Sequence, residues 1–311
     1  MLLQIGMIVA GVVLVLWGAD RLTDGAVALA ERMNISQMVI GLTIVAVGTS
    51  APEFCVSLVS ALKGTADLAV GNVVGSNIFN TMLITGVAAM VTPMTILPST
   101  VRKDIPIAVV ASLALTIMVL TDGDLSRLDA VMLLAGFIAF MWLTLHGAKD
   151  KGSDDSAPSK TLSVGRALLM LVVGLACLVV GSNIFVDGAT EVAARLGVSE
   201  AVIGLTVVAG GTSLPELATS VVAARKGNSG IAIGNVLGSN VMNILLILGG
   251  AGLICPMTVV GITTVDFAVL TGSILLLWLF ANTKLTLARW EGVVLTALFL
   301  AYMSWLVAHV V

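Results

Sequence analysis

Two carboxylates stand inside apolar runs. Glu53 closes "AVGTSAPE" (46–53) and Glu216 closes "GGTSLPE" (210–216), each directly after a proline. An uncompensated acid within a membrane span costs about 2.5–3.5 kcal/mol on insertion scales, and no Lys or Arg shares these runs. Each Glu is therefore either protonated or paired with a cation. Thr49 and Ser50 precede Glu53 by four and three residues, and Thr212 and Ser213 stand likewise before Glu216. That spacing puts hydroxyls and carboxylate on one helix face. Pro52 and Pro215 lack an N–H, which releases the carbonyls of Gly48 and Gly211. Further along come "GNVVGSNIFN" (71–80) and "GNVLGSNVMN" (234–243). Asn72, Ser76 and Asn80 recur every fourth residue, as do Asn235, Ser239 and Asn243, and each trio makes a polar stripe. A phosphate-loop reading fails because no Lys follows the glycines. The inventory is carboxylate, amide, hydroxyl and carbonyl oxygen, with no His or Cys. Hard donors of this kind suit Ca²⁺, Na⁺ or Mg²⁺ rather than zinc or copper, and abundant flexible oxygens favour Ca²⁺ over Mg²⁺. Two carboxylates neutralise one Ca²⁺.

The elements that position these groups are membrane helices. The 311 residues are 58% hydrophobic and 11% charged, with a mean hydropathy of +1.11, whereas soluble chains are about 25% charged. Backbone polar groups in lipid must be satisfied within the segment, which leaves helices. Stretches free of ionisable residues predict helix cores near 2–19, 68–92, 105–121, 130–145, 167–186, 231–254, 267–281 and 292–308. Spans 37–62 and 201–224 each add one Glu, making ten. A shift of 163 lays Gly41–Met94 on Gly204–Met257 with 29 of 54 positions identical, which is a duplication. Five spans per copy is odd, so the second copy enters the membrane inverted. Inverted repeats are typical of secondary transporters, with the site near the midplane where the halves meet. The expected units are a first repeat (1–146), a linker (147–166) and a second repeat (167–311).

Orientation follows from the basic residues. Lys63, Arg127 and Arg195 lie on the side of both termini; the other twelve Lys and Arg lie opposite. The positive-inside bias puts both termini outside and the Gly/Ser/Asp/Lys-rich linker in the cytoplasm. The N-terminal run lacks a basic n-region and reads as the first span rather than a removable signal. Cys55, Cys177 and Cys255 are scattered in or beside apolar runs, which suits small core residues rather than a disulfide set or metal cluster. No basic patch suggests nucleic acid. Gly71 with Gly75, and Gly234 with Gly238, fit small-xxx-small helix packing.

"GTSAPE" with "GNVVGSNIFN", and "GTSLPE" with "GNVLGSNVMN", resemble the paired repeats of the cation/calcium antiporter superfamily, most closely prokaryotic sodium/calcium exchangers. The resemblance spans essentially the whole membrane portion. It implies an all-α protein of ten helices in the plasma (bacterial inner) membrane. The second, third, seventh and eighth helices would form the ion-binding core, with the first and sixth sliding as a gate. It also implies that Glu53 and Glu216 bind Ca²⁺ and Na⁺ alternately. Carbonyls of Thr49 and Thr212 would serve Ca²⁺. Ala46 and Ala209 carbonyls, with Ser50, Ser213, Ser76 and Ser239, would serve Na⁺. Asn80 and Asn243 would line the centre. Relatives often carry Asp at one of those two central positions; here both are amides, one titratable group fewer, which argues against potassium co-transport.

The expected activity is Ca²⁺/Na⁺ antiport by alternating access, with no enzymatic step and no resident cofactor. The expected partners are the transported Ca²⁺ and Na⁺ (H⁺ in the rival reading) and the lipid bilayer, with the chain acting as a monomer. The first alternative is a Ca²⁺ or other cation/H⁺ exchanger using the same two Glu. A channel with a Glu filter fits inverted five-helix halves less well, and a degenerate sensor would bind without transport.

Overall fold

A computed structural model of the chain describes residues 2–146, 162–197 and 209–310. Among these, eight helices are long and apolar enough to cross a membrane. They are α1 (Leu2–Met33), α4 (Ala66–Val91), α5 (Thr100–Asp122), α6 (Arg127–His146), α7 (Val164–Arg195), α10 (Ser229–Ile254), α11 (Thr264–Lys284) and α12 (Arg289–Val310). A ninth span is broken into α2 (Gln37–Thr49) and α3 (Ala51–Leu62), bent by 50°. Its repeat counterpart is seen as α8 (Ala209–Thr212) and α9 (Leu214–Arg225). The expected tenth span at 201–224 thus begins outside the described residues, as does most of the expected linker at 147–166.

Helices α1 and α7 each run 32 residues, past their ion-free cores at 2–19 and 167–186. At 1.5 Å per residue that is about 48 Å, well beyond a hydrocarbon layer of about 30 Å, so both helices tilt or project from it. They pack along a glycine seam. A Cβ on Gly11 would lie 2.7 Å from Gly181 O, and one on Gly18 2.7 Å from Gly174 O. Close approach of this kind is how helices associate where lipid removes the hydrophobic drive. At one end of the seam Lys226, just past α9, bridges Asp20 and Asp24 of α1 at 2.6 Å each.

Burial separates core from rim. The most apolar stretch of α10 is 94% buried and that of α4 72%, against 22% for α1, α6 and α12. The outer helices meet lipid; α4 and α10 are the centre. Gly234 and Gly238 bring α10 against α2, with Cβ positions 2.8 Å from Met38 O and 2.7 Å from Leu42 O, as their spacing predicts.

The all-α expectation holds apart from four two-residue strands, β1 (Met94–Thr95), β2 (Asp124–Leu125), β3 (Met257–Thr258) and β4 (Thr286–Leu287). They make two antiparallel pairs that join the halves, β1 with β4 (Met94 opposite Leu287) and β2 with β3 (Met257 opposite Leu125). The two pairs exchange under the repeat, as an inverted duplication requires.

Candidate cation site

The site begins at two helix breaks. Ser50 leaves helical geometry between α2 and α3 (φ −79°, ψ 8°), and Ser213 does so between α8 and α9 (φ −89°, ψ 7°). Pro52 and Pro215 sit in the first turns of α3 and α9, where a missing N–H is tolerated. Glu53 and Glu216 occupy the same turns. The carbonyl of Gly211, freed by Pro215, accepts a hydrogen bond from Ser182 Oγ of α7. Under the shift of 163 Ser182 corresponds to Ala19 and Gly211 to Gly48, so the first half has no counterpart of that hydroxyl.

The carboxylates meet across the halves. Ser50 Oγ donates to Glu216 Oε1 at 3.0 Å, and Ser213 Oγ donates to Glu53 Oε1 at 3.0 Å. Ser213 Oγ also stands 3.2 Å from Ser76 Oγ. Glu53 is 1% exposed and Glu216 0%. Among the described residues neither has an ion pair with Lys or Arg. The second oxygen of each, Oε2, has no hydrogen-bond partner, and neither has Oδ1 of Asn80 or Asn243. Four buried oxygens, two from each half, therefore lack donors. Leaving such atoms unsatisfied costs about 1–3 kcal/mol each, more when charged. Oxygens of this kind, two of them on carboxylates, are the donors a hard cation takes. No group of three or more His, Cys, Asp and Glu that could hold a metal ion occurs among the described residues.

The other expected residues lie on the same broken spans and central helices. Thr49 is fully buried, its Oγ1 donating to Asn235 Oδ1 at 3.0 Å. Ala46 O accepts from Ser50 N at 3.0 Å. Thr212 closes α8, and Ala209 opens it. Ser239 is buried and its Oγ has no partner. The polar stripes divide in two. Asn72 Nδ2 donates to Ser57 Oγ (2.9 Å) and Glu53 O (3.3 Å), and Asn235 Nδ2 to Ser220 Oγ (3.0 Å) and Glu216 O (3.3 Å). These amides brace the Glu-bearing helices, whereas Asn80 and Asn243 face the opposite half. Wider π-helical turns at Phe79–Ile84 and Asn243–Leu248 coincide with the change. Such turns cluster at functional sites. Sequence reading missed Ser57, Ser220, Ser182, Asn77, Thr81 and Asn240. Identity under the repeat was an available signal for two of these pairs, Asn77 with Asn240 in "GSN" and Ser57 with Ser220, each four residues past its Glu.

The profile of the sodium/calcium exchanger protein family matches residues 3–146 and, separately, 166–308. The chain belongs to the sodium/calcium exchanger family. It is 40% identical over 267 residues to the inner membrane protein YrbG of Escherichia coli K12, covering 82% of this chain and 81% of that one. It is 33% identical over 333 residues to the sodium/calcium exchanger MaX1 of Methanosarcina acetivorans, covering 94% and 95%. Its fold matches the sodium-calcium exchanger NCX_Mj, solved after soaking in Na⁺ and Ca²⁺, with a TM-score of 0.86 at 32% identity and 98% coverage of both chains. The molecule is thus a multi-pass membrane transporter of the cation/Ca²⁺ exchanger family and not an enzyme.

Proposed function

We propose that this exchanger moves Ca²⁺ against Na⁺ by alternating access, with Glu53 and Glu216 forming one shared cation site between the inverted halves. The observation that carries the reading is the reciprocal pair of cross-half bonds, Ser50 to Glu216 and Ser213 to Glu53, which leaves both Oε2 atoms and both central amide oxygens without donors. Two ionised carboxylates in a closed, empty site are strongly disfavoured, so the protein isomerises only when loaded with Ca²⁺ or with several Na⁺. That rule couples the two fluxes. Carbonyls of Thr49 and Thr212 add Ca²⁺ ligands. Ala46 and Ala209 carbonyls, with Ser50, Ser213, Ser76 and Ser239, hold Na⁺ on either side. The 147–166 linker joins the repeats in the cytoplasm, with both termini outside, and α1 and α7 slide as the gate.

The test is ⁴⁵Ca²⁺ uptake into sealed vesicles holding the purified protein, loaded in turn with Na⁺, with K⁺, or with a proton gradient. Uptake that needs internal Na⁺ supports the reading. Uptake driven equally by protons replaces Na⁺ with H⁺ at the same Glu pair, and uptake without any counter-ion makes the protein a channel.

A further inference from the structure

The two central amides are useful to a cation only if they turn oxygen toward it. An amide is nearly symmetric in shape, and its NH₂ would repel a cation as strongly as its oxygen attracts one. Something must choose the face. Asn80 Nδ2 donates to Asn240 Oδ1 at 3.2 Å, and Asn243 Nδ2 donates to Asn77 Oδ1 at 3.0 Å. These bonds are repeat counterparts, each running from the central amide of one half to the "GSN" asparagine of the other. Both acceptors are buried, Asn77 at 1% and Asn240 at 4% exposure.

We propose that Asn77 and Asn240 are positioning residues that fix which way the central amides face, so that Asn80 and Asn243 present oxygen to the transported cation. The inference rests on the shared-site reading above. The direction of each chain is set at its far end. Asn77 Nδ2 donates to the backbone carbonyl of Asn240 at 3.0 Å. A carbonyl accepts and never donates, so Asn77 must turn its NH₂ there and its oxygen toward Asn243. Asn243 must then give its NH₂ to Asn77, which leaves its oxygen facing the site. The other chain ends differently, with Asn240 Nδ2 donating to Thr81 Oγ1 at 2.7 Å. A hydroxyl both accepts and donates, so this end fixes the direction less firmly. The repeat places Ile244 opposite Thr81, so the two ends are not interchangeable. Asn243 is the firmly oriented amide, and Asn80 depends on Thr81.

The test is a set of double-mutant cycles on Ca²⁺ binding, measured by titration calorimetry on the purified full-length exchanger. Asn240→Leu is expected to weaken Ca²⁺ about tenfold. The loss should vanish in an Asn80→Ala background and persist in an Asn243→Ala background. Asn77→Leu should show the reverse pairing. Thr81→Val, a near-isosteric change, keeps the test decisive if the Leu variants do not fold; it should cost about threefold, through Asn80 alone. A general packing role would move every background equally, and that result, or unchanged affinity, overturns the proposal. Wild-type protein that binds no Ca²⁺ overturns the shared-site reading and this inference with it, whereas normal wild-type binding with flat cycles overturns only the inference.

Discussion

Glu216→Gln removes one charge and almost no volume. The amide keeps an oxygen for the Ser50 hydroxyl, now 3.0 Å from Oε1, so the break at Ser213 is undisturbed. What changes is the pairing with Ca²⁺. One carboxylate oxygen at about 2.4 Å from the ion contributes about 3.5 kcal/mol even with the dielectric of bulk water. Against this, the variant relieves repulsion between the two carboxylates, about 0.8 kcal/mol at about 5 Å in the same medium. The net loss is about 2.7 kcal/mol, or about 100-fold in affinity. Screening at a fully buried residue is weaker than in water, which enlarges both terms, while desolvation of the ionised Glu opposes the gain. Calorimetry on purified protein and Na⁺-driven ⁴⁵Ca²⁺ uptake both report it, with size-exclusion profiles checking insertion and folding. The repeat requires Glu53→Gln to behave alike. Either variant binding Ca²⁺ within threefold of wild type would refute the assignment of the two Glu as the charge that holds the ion.

Other parts of the structure make their own demands. Ser50→Ala and Ser213→Ala each remove a hydroxyl donor from the opposite Glu; such bonds to charged groups are worth about 1.5–3 kcal/mol, so the Na⁺ concentration for half-maximal exchange should rise at least tenfold. Gly18→Val puts side-chain atoms where Gly174 O lies 2.7 Å from the Cβ position; overpacking of this kind costs about 1–3 kcal/mol and should lower the melting temperature in detergent, which unchanged melting would contradict. Asp20→Asn with Asp24→Asn frees Lys226 from both bridges to α1. If α1 slides as a gate, Arg225→Cys, exposed beside the retained Lys226, should react faster in that background than with both Asp intact with a membrane-impermeant thiol reagent from the cytoplasmic side; an unchanged rate would argue against the bridges holding the gate. Lys63→Cys should react with the same reagent only from outside and Lys284→Cys only from inside, and reversed labelling would overturn the orientation.

Much of the framework was legible because charge in an apolar run is a strong signal. Glu53 and Glu216 stood out on that ground alone, and the duplication supplied the inverted architecture before any coordinate. Ser50 and Ser213 were legible as neighbours of the Glu on the same chain, yet their bonds cross to the opposite half, which no local spacing reveals. The stripe at Asn72, Ser76 and Asn80 assumed one helical period throughout; π-helical turns leave no mark in composition, so the division of the stripe was invisible. Charges at Asp20, Arg21 and Asp24 ended the ion-free core of the first span, but the helix continues to Met33, with Asp20 and Asp24 paired to Lys226 from the other repeat. The four short strands are too brief for any alternation to show. Asn77 and Asn240 were visible as repeated letters, but their role depends on which atom of an amide meets which partner, and that is fixed only by tertiary contact.

The central claim is a single cation held between Glu53 and Glu216. Crystals soaked in Sr²⁺ or Ca²⁺ test it directly through anomalous scattering. One peak, with oxygens of both Glu at about 2.3–2.6 Å, is the result the account predicts; no peak there, or an ion bound by one half alone, would contradict it.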